Sequence, residues 1–150
     1  MPEQTPAELA KACADAMWED DRASRALGMT VLVVRPGYAE LTMTVRDDMV
    51  NGFGLCHGAL VAALADSAFA FASNTYNDVT VSAGFDITLR RPAHVGDVLV
   101  ATATELHRHS RSGLYDVTVV RPAPDRAAKP EVVAEFRGRS RSLGRPILSR

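Results

Sequence analysis

The chain has 150 residues, 47% of them hydrophobic and 23% charged, with a formal net charge of −1. That length suits one domain able to bury a real core, and the near-neutral balance excludes a broad nucleic-acid or acidic-lipid surface. Two cysteines, Cys13 and Cys56, are too few for a disulfide scaffold or a four-cysteine zinc site.

Met1 to Thr5 carry polar and acidic groups and no apolar run of the kind a signal peptide needs, which predicts a cytoplasmic protein. Pro6 to Leu27 reads as a helix. Thr5 is a plausible N-cap, Pro6 occupies a first-turn position, and Glu8 follows Thr5 at capping-box spacing. Leu9, Cys13, Met17 and Trp18 give a one-sided apolar stripe, and Gly28 can end the helix.

Met29 to Val34 and Tyr38 to Val45 flank the turn Arg35-Pro36-Gly37 and predict a hairpin. In the second strand Leu41, Met43 and Val45 alternate with polar residues, so one face is buried and one wet. Asp47 to Cys56 is a loop rich in turn-formers. His57-Gly58 then opens Ala59 to Ser73, apolar almost all round and interrupted by Asp66. It is too short to span a bilayer, which takes roughly 20 residues, and predicts a helix enclosed by protein.

Val79 to Arg90, Val98 to Leu106, Gly113 to Val120 and Val132 to Ser142 read as strands, rich in Val, Thr and aromatic residues. Turn signals separate them at Arg91-Pro92, Val95-Gly96-Asp97, Ser110 to Ser112 and Pro122 to Pro130. The order is helix, two strands, buried helix, four strands. An antiparallel sheet of about six strands with one helix inside the run covers its apolar face most simply by curling around that helix. The expectation is an α+β hotdog fold, one domain over residues 1–150.

The chemistry concentrates in Asn51-Gly52, His57-Gly58 and Asp66. Gly58 begins the buried helix, where amides lack intrahelical acceptors and the helix dipole favours negative charge. A carbonyl placed there is polarised and an oxyanion stabilised. Asp66 lies in apolar surroundings, a position that costs several kcal/mol or raises the pKa unless the carboxylate is used or paired. General-base or nucleophilic work in acyl transfer is one such use. Plainer roles remain open: Asp66 as a partner for an arginine, His57-Gly58 as an ordinary helix start, Asn51-Gly52 as a turn. Gly58 and Asp66 stand about 12 Å apart at about 1.5 Å per residue. If they serve one carbonyl, they come from two subunits across a two-fold interface, and dimerisation is a requirement.

These residues resemble the hotdog thioesterases of the PaaI type, associated with phenylacetic acid degradation. The resemblance rests on Asn51-Gly52, Cys56-His57-Gly58 and Leu64-Ala65-Asp66-Ser67-Ala68-Phe69-Ala70. It continues through Asn74, Arg91-Pro92, Gly96-Asp97, Gly113-Leu114-Tyr115-Asp116 and Phe136-Arg137-Gly138, and so covers nearly the whole chain. It implies hydrolysis of an aromatic acyl-CoA, of phenylacetyl or hydroxyphenylacetyl type, to the acid and free CoA, with no cofactor. By resemblance Asp66 is general base or nucleophile and the Gly58 amide polarises the thioester. His57 and Asn51 orient substrate or water, and Ser82 matches a position that holds the attacking water. Arg91, Arg108 and Arg111 are candidates for the CoA phosphates. A homodimer, and a homotetramer built as a dimer of dimers, are implied with them. Many members carry a second glycine after His-Gly; here Ala59 stands in its place, which narrows the acyl pocket and keeps the donor Gly58.

His107 and His109 share a strand face, but no third metal ligand stands at suitable spacing. Arg137, Arg139 and Arg141 alternate as on an exposed sheet face. No Gly-x-Ser-x-Gly elbow, phosphate loop or dinucleotide fingerprint is present. Two other functions compete on the same fold. A non-catalytic acyl-CoA sensor or carrier has no need of a buried carboxylate. A dehydratase or hydratase needs a His and acid arrangement that the sequence lacks.

Overall fold

The computed structural model describes residues 2–149, so Met1, the first residue of the segment read for a signal peptide, lies outside the described residues. Thr5 caps α1 (Pro6–Asp20) as predicted: the Glu8 amide donates to Thr5 Oγ1 at 3.2 Å, and the Thr5 amide donates to the Glu8 carboxylate at 2.8 Å. The helix does not run on to Leu27. Asp21 ends α1 and caps α2 (Arg22–Ala26), its carboxylate accepting the Ser24 amide at 3.0 Å. An Asp side chain offers the backbone a local alternative to the helical bond. The apolar stripe of α1 carries no mark of that break.

β1 (Thr30–Arg35) and β2 (Tyr38–Thr44) form the expected hairpin. Its turn needs a glycine: Gly37 has φ +68°, and a Cβ there would meet Glu105 Cβ at 2.9 Å. A single 3-10 turn, Asp47–Met49, interrupts the following loop. The central helix α3 spans Gly58–Ser73, and the remaining strands are β3 (Thr80–Leu89), β4 (Val98–His109), β5 (Ser112–Arg121) and β6 (Glu131–Ser142).

The six strands form one antiparallel sheet in the order β1-β2-β4-β5-β6-β3. The sheet curls far enough for α3 to touch all six strands. Leu64, Phe69 and Phe71 of α3 meet Leu41, Met43, Leu99, Val117, Val119 and Val133 of the sheet in one core. The sheet stays open, with β1 and β3 as its edges.

Openness decides which side of α3 is covered. Val61, Leu64, Ala65, Ala68, Phe69 and Ala72 are buried, whereas Ala62, Ala63, Asp66 and Ala70 are half-buried and Ala59 is exposed. The enclosure expected from an all-apolar helix is therefore met on one side only in the single chain. No helix among the described residues is long and apolar enough to cross a membrane.

Leu64 is fully buried at the centre of this packing. Leu64→Ala is expected to cost about 2–5 kcal/mol of stability, through lost burial and a residual cavity, measured as a fall in the urea midpoint at unchanged slope.

Candidate active site

His57 is the N-cap of α3 and supplies no side-chain cap. The Leu60 and Val61 amides both turn back to the His57 carbonyl, at 2.9 and 3.3 Å. Among the described residues the Gly58 amide finds no acceptor, so the helix presents an unpaired donor at its positive end. The space beside it depends on the missing side chain: a Cβ on Gly58 would come within 2.6 Å of Leu89 Cδ1. Gly58, Asn51, Leu55, Leu89 and Arg91 share an open hollow of about 280 Å³.

Asn51 shapes this hollow from its loop. Its Oδ1 accepts the Phe53 amide at 2.9 Å and the Leu55 amide at 3.2 Å, as in an Asx turn. Its side-chain amide Nδ2 has no partner among the described residues and is left available. His57 is exposed at the same helix end.

Asp66 sits two turns further along α3 and faces a different space. It lines an open groove of about 720 Å³ with Ser82, Phe69, Ala70 and Asn74. Ser82 reaches the groove because it pairs with buried Ser140, which places it on the helix side of β3. The groove is walled by the last turn of α1, with Ala16, Met17, Glu19 and Asp20, and by Arg145, Pro146 and Ile147 near the C-terminus. The N-terminal helix is one of the segments on which the sequence makes pocket width depend, but the wall near the C-terminus carries no mark in the sequence; tertiary placement creates both.

Among the described residues no ion pair or hydrogen bond compensates Asp66. No described arginine pairs with it, as the plainer reading would require. Burial alone pushes its carboxyl above the ordinary value of 3.8.

The three arginines do not converge. Arg91 lies beside Gly58. Arg108 stacks on Tyr76, 3.6 Å from the ring centroid, and shares a small polar pocket with Arg111, Ser73, Asp78 and Ser110 at the other end of α3. His107 and His109 lie on the β4 end with near-parallel rings 6.3 Å apart, and among the described residues no third metal-ligating group joins them. Within one chain, then, the donor Gly58 and the carboxylate Asp66 stand at separate openings, about 12 Å apart along the helix.

Residues 53–128 match the family described as the thioesterase superfamily. The chain is 38% identical over 134 residues to the acyl-coenzyme A thioesterase PaaI of Escherichia coli, covering 89% of this chain and 91% of that protein. The solved structure of E. coli PaaI, from the phenylacetic acid degradation operon, superposes with a TM-score of 0.87 at 37% identity, covering 95% and 99% of the two chains. The phenylacetic acid degradation protein PaaI of Thermus thermophilus, solved as a mutant, superposes with a TM-score of 0.75 at 36% identity, covering 82% of this chain and all of the other.

The bare carboxylate has a measurable consequence for stability. Well below the ordinary aspartate value, Asp66 is protonated in folded and unfolded chains alike and burial penalises neither. As pH rises through the raised folded value, the folded chain holds its proton longer than the unfolded one and loses stability. Asp66→Asn is therefore expected to be at least as stable as the wild type at neutral pH, the gap closing as the solution is acidified. Paired thermal melts across that range measure it.

Proposed function

The chain belongs to the thioesterase superfamily, and from that membership and the site geometry we propose that it hydrolyses aromatic acyl-CoA thioesters, of phenylacetyl or hydroxyphenylacetyl type, to the acid and CoA. The observation that carries the proposal is the half-buried Asp66, without an ion pair or hydrogen bond among the described residues, on the helix whose first amide, at Gly58, finds no acceptor among them either. A thioester whose carbonyl oxygen accepts the Gly58 N–H has its carbon made electrophilic, and the charge that develops on oxygen falls at the positive end of α3. The Asp66 carboxylate supplies the other half, either by attacking that carbon or by taking a proton from water that does. Ser82 stands on the same groove, suited to hold that water, while His57 and the Asn51 side-chain amide orient substrate near the donor. CoA departs as the thiolate and takes up the proton that water gives; where Asp66 attacks directly, that water hydrolyses the resulting mixed anhydride, which releases the acid and restores the carboxylate. Asp66 has to be ionised for either route, so turnover should rise with pH through its raised value.

Two subunits reconcile the separated halves. β3 is an edge strand with Phe85 40% and Leu89 52% exposed, apolar surface that an isolated edge leaves in water. Its Leu89 end lies against Gly58, and its Ser82 end opens on the Asp66 groove. Antiparallel pairing of two β3 edges about a two-fold axis brings each Leu89 end to the opposite Ser82 end, and with it each Gly58 toward the partner's Asp66. The same pairing draws Arg91 of one subunit toward the Arg108 and Arg111 end of the other, where both could meet CoA phosphates. We place the protein in the cytoplasm as this homodimer, two of which associate into a tetramer. The groove's apolar lining, with Met17, Phe69, Ala70 and Ile147, suits an aromatic acyl group.

Purified protein is expected to release CoA from phenylacetyl-CoA faster than from long aliphatic acyl-CoAs, with Asp66→Asn folded but nearly inactive. Binding of acyl-CoA without release would instead identify a sensor or carrier. Gly58→Ala should fold, because exposed Leu89 can move aside, and lose on the order of 10²-fold in turnover if a donor is displaced. Subunits of the two variants, mixed and reassorted, should recover up to about a quarter of wild-type activity, since each mixed dimer holds one intact site. No recovery would place Gly58 and Asp66 in the same subunit's site.

A further inference from the structure

Asp21 does more than separate α1 from α2. Its carboxylate accepts both the Ser24 amide, at 3.0 Å, and the Ser24 hydroxyl, at 2.7 Å. Ser24 Oγ in turn lies 2.8 Å from Ser67 Oγ, 43 residues away in sequence. A serine hydroxyl has one proton to donate. Ser24 gives its proton to the Asp21 carboxylate, so the bond between the two serines can form only with Ser67 as donor. The protons therefore run one way, from Ser67 to Ser24 to Asp21.

The relay is enclosed and well placed. Ser24 is 3% exposed, so breaking its bonds leaves a buried polar atom without a partner. Ser67 follows Asp66 on α3. Asp21 follows the last turn of α1, whose Ala16, Met17, Glu19 and Asp20 wall the Asp66 groove. Arg25 ties that turn to α2 by donating to the Glu19 carbonyl at 2.9 Å. One short chain of hydrogen bonds thus fastens the α1 wall of the groove to the helix that carries Asp66, one residue from the carboxylate.

We propose that Asp21, Ser24 and Ser67 form a latch that sets the width of the groove at its acyl end and so determines which acyl groups are accepted. They are positioning residues, acting through the last turn of α1, and the latch rests on the acyl-CoA thioesterase reading above. α1 lies along β1, and Trp18 meets Phe71 with ring centroids 6.2 Å apart. That packing seats the helix on the sheet, while the relay fixes how far its last turn stands from Asp66. On this reading an aromatic ring occupies the space between the two, whereas an acetyl group is too short to depend on the wall.

The test compares Ser67→Ala, Ser24→Ala, the double variant and Ser67→Thr with the wild type, following CoA release from phenylacetyl-CoA and acetyl-CoA. Loss of one neutral hydrogen bond is expected to raise KM for phenylacetyl-CoA about three- to tenfold, with kcat for acetyl-CoA unchanged. The double variant should do no worse than either single one, because both break the same relay, and Ser67→Thr, which keeps the hydroxyl, should restore the wild-type ratio. An unchanged ratio of the two substrates in Ser67→Ala, or equal losses on both, overturns the latch. If Ser24→Ala does not fold, Ser67→Ala alone decides. A wild type that releases CoA from neither substrate refutes the thioesterase reading. The latch is then judged by amide hydrogen exchange over residues 16–20, where faster exchange in Ser67→Ala supports it and identical exchange overturns it.

Discussion

Asp66 is a half-buried carboxylate that, among the described residues, accepts no hydrogen bond and joins no ion pair, on a helix that the sheet must otherwise enclose. A charge in that position is tolerable only where some solvent still reaches it. The sheet accordingly wraps one side of α3 and stops. Had it closed, β3 would meet β1 and the Asp66 face would lie in the core. The open edge at β3, the half-exposed alanines of α3 and the groove under α1 all follow from leaving that one group wet.

What the opening exposes then has to be covered by something other than the chain's own sheet. Ala59, Ala62 and Ala63 line the uncovered face of α3 with small side chains, and Phe85 and Leu89 continue it on β3. Phe85 stacks on Phe136 with ring centroids 4.7 Å apart, and Leu89 fills the space left by the missing Gly58 side chain. Small residues on the helix and an apolar strand edge beside them form a shape that a second copy of the same surface can fill. In the proposed dimer, the surface that needs covering is also the surface that completes the site, so assembly and activity share one interface.

The sequence is legible where a residue's role is local. Thr5 and Glu8 state their capping box, Leu41 and Met43 state the buried face of β2, and Asp66 stands out because its neighbours are apolar. The element order and the curled sheet follow from the same patterns. It is illegible where a role depends on distant partners. Asp21 looks like any solvated helix residue until Ser24 and Ser67 are placed beside it. β4 runs on to His109, past the expected end at Leu106, because a bulge between Glu105 and His107 lets polar residues continue the pairing with β5. Arg91, Arg108 and Arg111 look alike in sequence, yet α3 holds them at opposite ends. The groove itself is made by α1 and residues 145–147, and nothing in either segment's composition announces it.

How the chain treats its other acids gives Asp66 its meaning. Glu105 lies beneath the β1-β2 turn and accepts hydrogen bonds from Tyr115 at 2.8 Å and Tyr76 at 3.1 Å, with Arg108 3.8 Å away. Asp97 accepts the His94 amide and pairs with Arg121; burial works to raise its carboxyl, but that company outweighs it and holds the group below the ordinary value. Asp116 takes Arg137 through two bonds, and Asp86 takes Arg139. Each of these carboxylates joins segments of the chain and is satisfied in doing so. The chain therefore has arginines, tyrosines and backbone donors enough to neutralise an acid wherever the fold uses one. Asp66 is more enclosed than the surface acids among them, yet among the described residues it has none of these partners, and it sits beside a groove with its pKa raised. A residue kept for structure would have been paired or replaced by another alanine; a bare carboxylate facing open space is suited to a partner that arrives from outside.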